Sequence, residues 1–125
     1  RRTQDKRTEI AHISDQILQT AKETGLPIIL GAQINRSSKD NEGKRPRLEN
    51  LKEAGNLEED ANTVLSVYNE DREALEPTGN RGVELEIKAL KNREGEPNQK
   101  TTLIFDRWTG AIKEQAINSG IKFTK

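Results

Sequence analysis

"LPIILGAQINR", residues 26–36, decides how the chain is read. All of its first five residues are apolar or proline, and three positions later it turns polar at Gln33, followed by Asn35 and Arg36. An apolar run without alternation is the mark of a strand covered on both faces, the usual situation in a parallel sheet. The spacing upstream is helical: Ile10, Ile13, Ile17 and Ala21 recur on one face from Thr8 to Thr24. Gly25 stops that helix, and Pro27 lies just beyond it. Helix followed by doubly covered strand is half of a βαβ unit, which calls for a preceding parallel strand that these residues do not supply.

Downstream the pattern changes. Residues 35–47 are polar and long enough for a functional loop. Residues 48–54 suit a short helix stopped by Gly55, and residues 57–62 a further helical turn. "TVLSVY" (63–68) reads as a strand, and "VELEIKAL" (83–90) alternates cleanly, with Val83, Leu85, Ile87 and Ala89 on one face. "TTLIFD" (101–106) and Ala111 to Gln115 complete an antiparallel end to the sheet. The expected fold class is therefore α/β, a mixed sheet with parallel strands first and an antiparallel hairpin at the end. Residues 1–115 form the expected domain, and 116–125 an expected disordered tail.

Composition narrows the function classes. Of 125 residues, 30 % are hydrophobic and 34 % charged, so any core is lean. That balance, the absence of Met and the start at Arg1 lead to the expectation of a piece of a larger protein whose remainder shares the core. No apolar run approaches the roughly twenty residues of a membrane span, so no membrane partner is expected. With no cysteine and a single histidine, His12, neither a thiolate nor a histidine zinc site is available. A reducing cytoplasm is the compartment expected. Acidic and basic residues balance at 21 each, leaving a nucleic-acid partner to local clusters such as "KRPR" (44–47).

Four features carry candidate chemistry, each beside a plainer reading. Gln33 stands where a buried strand releases its chain, the end that lines the ligand crevice in open α/β sheets; the plainer reading is a loop amide satisfying backbone groups. Lys91 and Arg93, two apart at a strand end, could reach an anion on a neighbouring subunit; the plainer reading is a solvated, charged sheet edge. Lys52 and backbone N–H groups near Gly55 could hold a phosphate backbone, where the plainer reading is an amphipathic helix burying Leu48 and Leu51. Asp106 ends an apolar strand as a magnesium-holding aspartate would, yet Arg107, Trp108 and a Thr-Gly turn follow at once, and it reads as a hairpin residue. No Gly-rich phosphate loop is present in the sequence.

The order "LPIILGAQINR", "KRPRLENLKEAGNLEEDANTVLSVY", "IKALKNREG" resembles the C-terminal RecA-like motor domain of DnaB-type replicative helicases, from about Thr8 to Gln115. The resemblance implies part of a RecA-like P-loop NTPase core. It further implies a parent protein that forms a homohexameric ring, hydrolyses ATP with Mg2+ between identical subunits and draws single-stranded DNA through its centre. It assigns Gln33 to γ-phosphate sensing, Arg93 to an arginine finger, Lys91 to its companion, and Lys52, Glu53 and Gly55 to the DNA-gripping stretch. Lys52 stands where the family usually has arginine, Ala54 where it has serine, and Asn62 where it has aspartate; Asn62 is given no role. The phosphate loop, catalytic glutamate and magnesium aspartate are expected upstream of Arg1, so this piece alone is expected to bind no cofactor and to be inactive. A RecA-like recombinase or regulatory ATPase, and a non-enzymatic DNA- or protein-binding module, are the competing readings.

Overall fold

The structure, a computed structural model, describes residues 2–34, 45–51, 56–73 and 77–114. Helix α1 (Arg2–Thr24) begins six residues earlier than its apolar spacing suggests, because nothing in the polar first two turns breaks a helix. It ends as expected: Gly25 takes φ 68°, and its N–H donates to the Ala21 carbonyl at 3.0 Å, satisfying one of the last helical acceptors.

A 3-10 turn (Leu48–Leu51) and a single helical turn, α2 (Leu57–Asp60), lead into strand β1 (Thr63–Tyr68). One more turn, α3 (Glu70–Glu73), opens the connection to β2 (Gly82–Asn92); β3 (Lys100–Asp106) and β4 (Ile112–Glu114) follow. The four strands form a meander in the order β1-β2-β3-β4, and each neighbouring pair is antiparallel.

Parallel strands at the start of the sheet are not found among the described residues. Residues 26–34 carry no regular secondary structure, and their apolar side chains are open: Leu26, Ile28, Ile29 and Leu30 are exposed, Ile29 almost completely, at 98 %. The physical reason is that a doubly covered strand exists only with its flanking strands and helices, and none of the described residues pairs with this run. The antiparallel part, by contrast, forms where its alternation placed it. The expected tail, 116–125, lies outside the described residues, as do 52–54 of the expected short helix.

The core is lean, as the composition requires. Leu51, Tyr68, Val83 and Ile104 are buried, and Ile104 is the most enclosed at 1 % exposure. Arg45 holds the 45–51 segment on the sheet, donating to Glu86 Oε1 at 3.2 Å while its guanidinium lies 5.0 Å from the centre of the Tyr68 ring. The "KRPR" arginine at 45 is thus directed to a carboxylate and a ring of its own chain. Because Ile104 has no room to lose, Ile104→Ala is expected to destabilise this unit by about 2–5 kcal/mol. A lowered denaturant midpoint with an unchanged m-value would report it.

Candidate functional site

The site is built where β2 ends against α2. A one-residue register shift between Val64 and Leu65 leaves Leu90 as the extra residue of β2: Leu65 pairs with Ala89, whereas Val64 pairs with Lys91. Uninterrupted alternation would put Lys91 on the face of Leu85, Ile87 and Ala89. The bulge reverses the phase, so Lys91 shares the face of Val64, Ser66 and Tyr68. A single extra residue therefore moves a cation from an apolar face to one that looks toward α2.

There Lys91 Nζ donates to the Glu58 carbonyl at 2.7 Å and to the Glu59 carbonyl at 3.2 Å. Just past the strand, Arg93 N–H donates to the Asn62 carbonyl at 3.0 Å. Its guanidinium donates through Nη1 to Asn62 Oδ1 at 2.8 Å and through Nη2 to the Glu59 carbonyl at 3.2 Å. The last carbonyls of a helix lack intrahelical partners, and here two side-chain cations, one on β2 and one just past it, supply them. Both converge on one acceptor, the Glu59 carbonyl. Opposite them, Ser14 Oγ of α1 donates to Asp60 Oδ2 at 2.6 Å, and Ser14 is 3 % exposed. One helical turn is in this way clamped between a long helix and the end of a strand.

Of the residues singled out in the sequence, the structure brings Lys91 and Arg93 together. Gln33 is exposed, at the end of the unpaired apolar run. Lys52, Glu53 and Gly55 lie outside the described residues. Sequence reasoning missed Asn62, which holds Arg93 twice, and the carbonyls of Glu58 and Glu59. A backbone acceptor leaves no trace in composition; the one visible signal was the departure at Asn62 itself.

Asp106 is a fastener. It is 2 % exposed and accepts from Arg81 Nε at 2.9 Å and Nη2 at 2.8 Å, from the Trp108 N–H at 2.9 Å and from the Thr109 hydroxyl at 2.9 Å. The Arg81 guanidinium, helped by those two donors, holds the Asp106 carboxyl well below the usual carboxylate range against the opposing effect of burial. Arg81 also stacks on Trp108, 4.6 Å from the ring centre. Among the described residues no group of three or more His, Cys, Asp or Glu could hold a metal ion. Nor, among the described residues, is any helix long and apolar enough to cross a membrane.

The chain has counterparts among known proteins. The profile of the DnaB-like helicase C terminal domain matches residues 1–114, and the chain belongs to that family. It is 35 % identical over 112 residues to the replicative DNA helicase DnaB of Mycoplasma genitalium, covering 88 % of this chain and 24 % of that protein. It is 34 % identical over 115 residues to a probable plasmid replicative DNA helicase of Chlamydia psittaci, covering 92 % of this chain and 24 % of that protein. A solved ATPase domain superposes with a TM-score of 0.75 at 28 % identity, over 87 % of this chain and 37 % of that one. The chain thus spans about a quarter of the length of these curated relatives.

Proposed function

We propose that this chain is part of the motor of an ATP-dependent, hexameric replicative DNA helicase, and that its Lys91–Arg93 pair serves the ATP site of a neighbouring subunit. The observation that carries the reading is the convergence of both cations on the end of α2, within a chain of the DnaB-like helicase family. Arg93 is exposed, and its guanidinium has more N–H donors than its two intrachain acceptors use. Lys91 likewise keeps a donor beyond the two carbonyls. Such a set suits phosphate oxygens, for which arginine offers a planar fork and lysine a point charge.

The described residues fit a phosphate and do not fit Mg2+: Asp106 is committed to Arg81, Trp108 and Thr109. ATP, when bound, would supply the phosphoryl group for transfer, with charge developing towards the leaving-group oxygen. Arg93 would neutralise that charge from across the subunit boundary, Lys91 would hold the pair at the strand end, and exposed Gln33 would sense the terminal phosphate. The chain taken alone is expected to lack turnover.

Lys52, Glu53 and Gly55 are proposed to contact the backbone of single-stranded DNA, with Lys52 giving a charge contact without the arginine fork. Lys52→Ala in the complete protein is expected to lower the log–log salt slope of single-strand binding by about 0.7. An unchanged slope places Lys52 off the DNA path. The test of the whole reading is ATP-dependent unwinding of a forked duplex by the complete protein. ATP hydrolysis without unwinding would favour a recombinase or regulatory ATPase, and DNA binding without hydrolysis a binding module.

A further inference from the structure

We infer that Asn62 is a positioning residue for Arg93, fixing through its side-chain oxygen the direction in which the guanidinium meets the neighbouring subunit. The inference rests on the proposed role of Arg93 and deepens it. An exposed arginine has many rotamers and loses rate-determining geometry if it must search among them. Here two independent bonds remove that freedom. The backbone bond from Arg93 N–H to the Asn62 carbonyl fixes where the side chain begins, and the bond from Nη1 to Asn62 Oδ1 at 2.8 Å fixes where it ends. The Glu59 carbonyl takes the other terminal nitrogen, so the plane of the guanidinium is set at two corners.

The mount is itself anchored. Glu59 and Asn62 flank Asp60, which Ser14 of α1 holds at 2.6 Å, and Lys91 grips the adjoining carbonyls from β2. Asn62 is exposed, so its side chain supports no core. A substitution there leaves the backbone bond to Arg93 in place and removes only the side-chain acceptor.

The test uses the complete protein and reads kcat and KM for ATP hydrolysis in parallel. Asn62→Ala is expected to lower kcat about tenfold, the factor one hydrogen bond to a charged group is worth, with KM for ATP and the melting temperature unchanged. Asn62→Asp, which keeps an acceptor in the same place, is expected to restore kcat. In an Arg93→Ala background, Asn62→Ala is expected to add nothing further. A wild-type kcat for Asn62→Ala, a loss in Asn62→Asp as large as that in Asn62→Ala, or a further loss in the Arg93→Ala background would each overturn the positioning role. If Arg93→Ala abolishes turnover while Asn62→Ala does not alter it, only this inference fails. If Arg93→Ala itself turns over normally, the reading beneath it fails as well.

Discussion

Arg93→Ala in the complete protein is expected to reduce ATP turnover by about 10³- to 10⁵-fold, equivalent to roughly 4–7 kcal/mol of barrier, while ATP binding stays nearly intact. The split follows from where the residue stands. Arg93 is attached to the end of β2 and to α2 of its own chain, and neither element offers a phosphate-binding loop. In the proposed role its charge would add little to nucleotide affinity within the same subunit and would act only when charge builds at a phosphate held across the boundary. Arg93→Lys is expected to recover only a small part of the rate, because an ammonium cannot bridge Asn62, Glu59 and an incoming oxygen in one plane. Equilibrium binding of a fluorescent ATP analogue beside steady-state hydrolysis separates the two effects. Turnover that survives in Arg93→Ala removes the residue from the reaction.

The second large effect is local stability. Asp106→Ala strips four donors of their acceptor in a buried corner and leaves the Arg81 guanidinium half-enclosed without its carboxylate. Removing one partner of such a pair is far more damaging than never having had it. Hydrogen exchange at the β3–β4 turn, where Gly110 N–H donates to the Asp106 carbonyl and Asp106 N–H to the Ala111 carbonyl, is expected to accelerate about a hundredfold or more. Exchange as slow as in the unsubstituted protein would show that the turn does not depend on this carboxylate.

The same corner responds to acid. The folded-state pKa of Asp106 is depressed by Arg81, and that of Asp71 by the Thr78 side-chain and backbone donors and by Arg107, which also bonds it. A depressed carboxylate contributes stability that is fully present above its unfolded pKa and is lost as pH falls through the folded value. Protection of the turn, corrected for intrinsic exchange rates, should therefore hold down to about pH 4 and fall below it.

The sequence was most legible where structure is local. The spacing of Ile10, Ile13, Ile17 and Ala21 defines α1, and Gly25 its end, because helix periodicity and left-handed stops need only neighbours in the chain. The bounds of β1 and the antiparallel nature of β2 and β3 followed from alternation and turns. "LPIILGAQINR" was a harder case. Its composition states a requirement for cover on two faces, but a strand is made by its partners, and no described residue pairs with it.

The candidate site shows the same division. That Lys91 and Arg93 lie together could be read from their spacing, but the reason they face α2 could not. That reason is the bulge at Leu90, which follows from the pairing register and carries no residue signature. The clamping of α2 by Ser14 through Asp60 joins residues 46 positions apart, a relation invisible to any local pattern. Asn62 drew notice only as a departure, and the structure shows its side-chain oxygen accepting from Arg93.

Mixed rings test the central claim, that Arg93 serves a neighbour's ATP site, most directly. Subunits carrying Arg93→Ala and subunits inactivated in their own phosphate-binding loop are each expected to be without turnover. When the two are mixed and allowed to reassemble, interfaces arise that pair an intact nucleotide site with an intact Arg93, and hydrolysis should return. If the mixture remains as inactive as its components although rings have exchanged subunits, Arg93 does not act across the boundary.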